Sequence, residues 1–390
     1  ESTLSIKTNA VDAVVTPDHR MLVQLKRFHT SIGVTRRGEK EYRQSIIYRQ
    51  TTKGLTVLPA RELPARFNLP CAGWAIDRVQ SHLRSEWFWL MGFIIGDGHF
   101  SKTKSTVQIY QSTAPSQTKH RKVLTRVLKT LGLNFGYYEG KAPGKVFGYT
   151  RNGRIGTWVF SGHDAARIRD IFAFGQRRRY SEKKTFGRKT HRSMAHGKKV
   201  TVDGWKTPEK RIPRWALQNS EPTKLLALLA GMMAADGSTS STSKRSKGHT
   251  NGCYWTSDRK LADQLQELLA LCGFRSSCAV HRPAGPKRKE HLCISLRNPA
   301  TSDVTAKACI RPGPTTQVWC PSTKLGSVIA RRNGKVFIAG NSATDEAITY
   351  VFDKEFVEEM NRPSGSMIPP WVKEAVRVVG QQEGAQPCKN

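Results

Sequence analysis

Two aspartates stand at matching places in the chain and could share one task. Asp97 closes the segment Trp89-Leu-Met-Gly-Phe-Ile-Ile-Gly-Asp-Gly98, and Asp236 closes Leu228-Leu-Ala-Gly-Met-Met-Ala-Ala-Asp-Gly237. A carboxylate at the carboxyl end of an apolar helix faces the negative end of the helix dipole, and a second carboxylate beside it adds like-charge repulsion. A hard divalent cation relieves both. Oxygen ligands without a His or Cys cluster point to Mg²⁺ rather than Zn²⁺. Cations held by two carboxylates can activate a water and stabilise the departing oxygen in phosphodiester cleavage. One apolar helix ending in Asp-Gly is an ordinary helix stop. Two copies with shared spacing and the same elements downstream are the reason to read these residues chemically.

The pair works only if its two helices bring it together. Gly92 and Gly96 are four apart, as are Gly231 and Ala235, so each helix carries a stripe of small residues at which two backbones can cross closely. Crossing there would put Asp97 beside Asp236. Each helix is followed by a strand-like run (Val107 to Tyr110; Cys253 to Thr256) and then an amphipathic helix (Val123 to Leu131; Leu261 to Leu271). Both amphipathic helices should stop at a glycine followed by an apolar residue, Gly132-Leu133 and Gly273-Phe274, which lie 35 and 37 residues after the aspartates. Strands are expected at Val146 to Tyr149, Thr157 to Phe160, Ser276 to Val280 and His291 to Leu296. The order predicts an α+β fold, a pseudo-two-fold domain of two helix-plus-antiparallel-sheet halves.

Charge narrows the partner. In 390 residues, 64 Lys and Arg oppose 30 Asp and Glu, a formal charge of +34. Such an excess favours a polyanion, and counterion release favours nucleic acid over a small acidic substrate. The charge is uneven, because residues 342–390 carry a net −3. Arg177 to Arg211 holds 13 Lys or Arg against three acids. It reads either as a solvated linker or as an arm tracking DNA through Arg177, Arg178 and Arg179, and its Tyr180 and Trp205 either stack on a partner or dock on the protein. The start, ESTLSIKTNAVDA, has no signal pattern, and the most apolar run, Leu225 to Ala235, is too short to span a bilayer. A soluble, cytoplasmic protein without a membrane partner is expected. The eight cysteines show no CxxC or metal-finger spacing, so all but Cys320 read as reduced core or loop residues.

The duplicated segments, with Arg211-Ile-Pro-Arg-Trp215 as a lead-in, resemble the paired signature helices of the LAGLIDADG homing endonucleases over about residues 80–300. The resemblance implies a saddle of two antiparallel sheets in the major groove of a long double-stranded DNA site, with Asp97 and Asp236 as metal ligands. Two motifs in one chain imply an active monomer. Strand-borne Gln108, Gln111, Lys244 and Arg245 are candidate contacts to base edges. The family often adds a lysine near the metals, and the sequence singles out none.

The flanks resemble the two parts of an intein, a self-splicing (Hint-type) domain. Val14-Val-Thr-Pro-Asp-His-Arg-Met-Leu22 is similar to the Thr-x-x-His block, in which Thr16 and His19 would polarise and protonate the amino-terminal scissile amide. Val318-Trp-Cys-Pro and Arg331-Arg-Asn-Gly-Lys-Val-Phe-Ile-Ala-Gly-Asn-Ser342 resemble the terminal blocks, with Asn341 cyclising and Ser342 as transesterification acceptor. Gly340 stands where inteins usually carry a His, and Ser327 or a neighbour where another is common. Cys320 takes the place of an acidic residue, as a proton donor, an internal nucleophile or a plain thiol. No segment before Thr16 matches the first intein block, so the chain is expected to begin inside the element, truncated at its amino end and unable to splice fully.

The expected layout is an incomplete amino-terminal intein part at 1–75, endonuclease repeats at 76–175 and 212–315 joined by the basic stretch 176–211, a carboxy-terminal intein part at 316–341, and a host segment at 342–390. The expected target is the intein-free host gene. Two other readings are a catalytically silent, maturase-like nucleic-acid binder and a self-processing protein with a decayed nuclease. The presence of both aspartates favours a live nuclease.

Overall fold

A computed structural model describes residues 2–34, 42–50, 54–73, 81–101, 106–140, 145–146, 149–150, 154–173, 209–218, 221–239, 251–286, 288–297, 301–315 and 327–340. The architecture is α+β, and all the strand pairings among the described residues are antiparallel. Two compact units divide after Asp77 and after Asp236. One is mid-chain. The other is split, formed by the residues before and after it.

The mid-chain unit contains α1 (Ser85–Asp97), β7 (Gly98–Phe100), β8 (Val107–Ser112), α2 (Thr118–Thr130), β9 (Gly136–Glu139), β10 (Lys145–Val146), β11 (Tyr149–Thr150), β12 (Ile155–Phe160), α3 (Gly162–Ala173), α4 (Arg214–Gln218) and α5 (Pro222–Asp236). A helix apolar on every side belongs in a core. Accordingly Trp87 through Ile95 of α1 are all buried, as are Leu225 through Leu229, Gly231 and Met232 of α5. The sheet order is β7-β8-β12-β9. Strict alternation in β8 and β12 turns Val107, Ile109, Trp158 and Phe160 inward. The amphipathic α2 buries Leu124, Val127 and Leu128, and it stops where expected. Gly132 has φ +62°, and the Leu133 amide bonds back to the Leu128 carbonyl at 3.0 Å. The strand expected over Val146 to Tyr149 is instead two short strands paired with each other, Val146 opposite Tyr149.

The split unit begins with β1 (Leu4–Lys7), β2 (Asp12–Val15), β3 (Arg20–Val34), β4 (Tyr42–Gln50), β5 (Thr56–Pro59) and β6 (Arg66–Pro70). It resumes with β13 (Gly237–Thr239), β14 (Asn251–Thr256), α6 (Arg259–Leu271), β15 (Arg275–Arg282), β16 (His291–Arg297), β17 (Thr301–Thr305), α7 (Ala306–Cys309), β18 (Ile310–Pro312), β19 (Ser327–Arg332) and β20 (Lys335–Gly340). Late strands complete early sheets, since β18 pairs with β1 and β17 with β6. One hydrophobic core joins Ile6, Val15, Met21, Phe67 and Leu69 to Val304, Phe337 and Ala339. A six-stranded sheet runs β13-β14-β16-β15-β20-β19. Its β19–β20 hairpin turns on Asn333 (φ 48°) and Gly334 (φ 72°), the two left-handed residues of a tight hairpin. The turn is pinned by buried Asp12, which accepts from Arg332 at 2.7 Å and Asn333 at 3.0 Å.

Among the described residues no helix is long and apolar enough to cross a membrane. All six described cysteines are free thiols.

Candidate functional site

The site begins at the crossing of α1 and α5. A Cβ on Gly92 would lie 2.1 Å from the Leu228 carbonyl oxygen, and one on Gly231 would lie 2.0 Å from that of Trp89. Real atoms never approach so closely, so each glycine is the space into which the other helix's backbone fits. One turn on, a Cβ on Gly96 would meet the Ala235 Cβ at 2.5 Å and Asp236 Oδ2 at 3.0 Å. The small-residue stripes thus do what their spacing predicts, and the Asp236 carboxylate sits against the last turn of α1.

The two carboxylates are not equivalent. Burial first, then the neighbouring Asp236 charge, pushes Asp97 up to about 7, against the pull of the Lys210 ammonium. Asp97 Oδ2 accepts a 3.0 Å hydrogen bond from the Gln111 amide. Asp236 is the more solvent-exposed of the two. Burial raises it as well, and Lys210 opposes the rise. Lys210 donates to the Gly96 carbonyl at 2.5 Å; burial lowers its pKa while Asp236 and Asp97 hold it up. It is positioned by the lead-in that follows it. Ile212 is buried, and Trp215 packs edge-on to Phe88 while donating its indole N–H to the Ile171 carbonyl at 3.1 Å. On the other side His120 of α2 bonds the backbone of Ala234, and its buried Nδ1 has no hydrogen-bond partner among the described residues.

The chemistry of this donor set suits a hard divalent cation. It offers two carboxylates and no His, Cys or third acid, since among the described residues no group of three such ligands forms. Two anions in a half-buried place, one of them held up near neutrality, are over-concentrated negative charge that one lysine only partly offsets.

Other expected residues fall elsewhere. Gln111 is buried with its amide committed to Asp97, so it faces the core and not a solvent-facing base-reading surface. Gln108 lies on the opposite, outer face of β8 and accepts from the Tyr110 hydroxyl. Thr16 and His19 form the turn between β2 and β3, the His19 amide donating to the Thr16 carbonyl at 3.1 Å. Burial lowers the His19 pKa, and its buried Nε2 has no partner among the described residues. Gly340, at the end of β20, lies against this turn, where an added Cβ would be 2.4 Å from the Arg20 carbonyl oxygen. Arg177, Arg178, Arg179, Lys244, Arg245, Cys320, Asn341 and Ser342 lie outside the described residues.

Residues 223–300 match the family model of the LAGLIDADG-like domain. The match starts in α5, takes in Asp236, and runs through β13, β14, α6, β15 and β16. LAGLIDADG proteins bind DNA, and most are nucleases that use divalent metal ions. Residues 223–300 are therefore similar to a LAGLIDADG-like domain. The segment from α1 to β12 lies outside the matched residues. No curated protein matches the chain.

Proposed function

We propose that this protein is a Mg²⁺-dependent, site-specific double-strand DNA endonuclease with Asp97 and Asp236 as its metal-holding carboxylates, the α1–β12 segment serving as a second LAGLIDADG half. The observation that carries the reading is the glycine-to-backbone crossing of α1 and α5, which sets Asp236 against Gly96 with Asp97 pushed up to about 7. Asp97 and Asp236 would hold the cation, which would supply charge compensation at the scissile phosphodiester and a more acidic water for the attack. Asp97 and Asp236 supply the anionic oxygens. Gln111 fixes the orientation of Asp97 through its amide, and Lys210 sits where its ammonium can donate to a phosphate oxygen. The outer face of β7, β8 and β12 presents His99, Gln108, Tyr110 and Thr157, a mixture of donors, acceptors and apolar surface that suits base edges in a major groove. The +34 charge supplies sequence-independent attraction.

The test is linearisation of a supercoiled plasmid carrying the host gene joined directly to the codon for Ser342. We expect cleavage with Mg²⁺, none with a chelator, and none by Asp97→Asn or Asp236→Asn. A double Asn variant that cuts as well as the parent would remove these residues from the active site.

We further propose that the split unit contains a protein-splicing domain in which Thr16 and His19 act at the amino-terminal bond, Asn341 cyclises, and Ser342 accepts. The shared core of residues 6–69 with 304–339 supports it, as does the approach of Gly340 to the His19 turn. That approach also accounts for the missing His, since no side chain fits at Gly340 without displacing backbone. Mass spectrometry decides. A fragment beginning at Ser342, absent from Asn341→Ala, supports cleavage, and its absence from the parent protein retires the idea.

A further inference from the structure

Away from the carboxylate pair, the split unit holds an open cleft of about 750 Å³ bordered by the β1–β2 turn, β15, β16, β17 and α7. Its charge is lopsided. Arg275 and Arg297 are direct cross-strand partners on β15 and β16, an arrangement of like charges that ordinarily weakens a sheet. Lys7, at the end of β1, adds a third cation to the lining. Among the described residues no carboxylate ion-pairs any of the three. Asp303 also lines the cleft, but it is committed to Lys26 at 3.0 Å and Arg66 at 2.7 Å.

Arg275 is held rather than free to leave. It is half-buried and donates to the Thr301 carbonyl at 3.0 Å, and burial first, then Arg297, lowers its pKa against the opposing effect of Cys71. Beside it Ser277 and Ser295 share a 2.7 Å hydrogen bond between their hydroxyls, and the Ser295 hydroxyl also reaches the Ser277 carbonyl at 3.4 Å, so this pair fixes the floor of the cleft. Two guanidinium forks and an ammonium line one open cleft, where the Thr301 carbonyl takes up one of the Arg275 donors. A tetrahedral oxyanion between them relieves the like-charge repulsion and accepts several charge-assisted bonds at once.

We infer that this cleft binds a phosphoryl group, with Arg275 and Arg297 as paired donors and Lys7 as the third charge. The group comes either from a DNA backbone, in which case the inference rests on the DNA-binding reading above, or from free phosphate. It contributes affinity, not cleavage, because its lining shares no residue with the Asp97–Asp236 site.

The experiment compares the full chain with Arg275→Gln/Arg297→Gln, the charge-retaining Arg275→Lys/Arg297→Lys, and Lys260→Gln at the exposed start of α6 as a control. Binding to a duplex of scrambled sequence is measured across a salt series, and binding of inorganic pyrophosphate by calorimetry. For a DNA source, the Gln pair lowers the slope of log affinity against log salt by about 0.9 for the one phosphate lost, while the Lys pair and the control stay near the parent. For a free-phosphate source, the DNA lines coincide and the parent's pyrophosphate binding disappears in the Gln pair. If the parent fails to bind DNA, the endonuclease reading falls, and the pyrophosphate arm still decides the cleft. If neither the slope nor pyrophosphate binding depends on the two arginines, the inference is overturned. Should the double variant fold poorly, Arg297→Gln alone gives both readouts, since that side chain is exposed.

Discussion

The segment from α1 to β12 and the segment from α5 to β16 build their sheets in the same strand order, yet they hold their aspartates differently. In each, the strand after the helix pairs with the next strand, the last strand comes third, and the third strand follows it, as the sheet edge for β9 and as the neighbour of β20 for β15. In each, the glycine after the aspartate faces the next strand, Gly98 opposite Ile109 and Gly237 opposite Tyr254. Two residues beyond those partners stand Gln111 and Thr256. Gln111 donates to Asp97, whereas the Thr256 hydroxyl accepts from the Asp258 amide at 3.1 Å and so helps to start α6. Glycines and apolar periodicity thus specify the scaffold, and the polar residue at a given scaffold position is free to serve either the site or the next helix.

The largest effects should come from the carboxylates. Asp97→Asn and Asp236→Asn should each lower the cleavage rate by at least about a hundredfold. Gln111→Ala should lower it about tenfold by releasing Asp97, while Thr256→Ala changes it less than about twofold. Equal losses for the last two, in single-turnover assays, would break the asymmetry drawn above.

Next come the crossing glycines. Gly92→Ala and Gly231→Ala each force a methyl into a carbonyl of the facing helix and should cost about 1–3 kcal/mol or more in urea unfolding. Similar costs would show that the two helices meet as equals, and a large disparity would show one backbone yielding to the other.

A pH series sharpens the comparison of the two acids. Asp97 titrates near 7 in the folded chain and near the ordinary carboxylate value of about 4 when unfolded. The folded state therefore binds more protons within that window, so metal-free stability should be highest at its acid end and fall as pH rises through it. Thermal melts in chelator at pH values near both ends should show the loss. Asp97→Asn should flatten the profile more than Asp236→Asn, and added Mg²⁺ should offset the fall.

The smallest effects concern the helix starts. Asp258 accepts from the Lys260 and Leu261 amides at the start of α6, whereas Gln117 makes no side-chain cap on α2. Asp258→Ala should cost about 1 kcal/mol and Gln117→Ala only a few tenths by denaturant titration.

What the sequence made legible was local. Gly132 and Gly273 ended their helices with positive φ as their apolar followers predicted, and the small residues at 92, 96 and 231 gave the crossing. Lys210 was not legible, because it is one of 13 cations between Arg177 and Arg211. It is distinguished only by where tertiary docking of Ile212 and Trp215 carries it. Gln111 was expected to face outward, although it shares the strand parity of buried Val107 and Ile109, and that was the signal for its inward course. The sequence reading assigned no helix to α3, which packs through Ala165, Ile168 and Phe172.

Asp12 finds its partners at Arg332 and Asn333, separated from it by 320 and 321 residues. Closing so long a loop adds only slowly to the entropy of folding, but the delay is real during synthesis. The elements from α1 to α5 are all made long before β17, β18 and β20 emerge to cover the early strands. Until then β1 and β6 are unpaired edges of the kind that chaperones and proteases recognise. The last described strand to be made is the one that closes the core begun by the first.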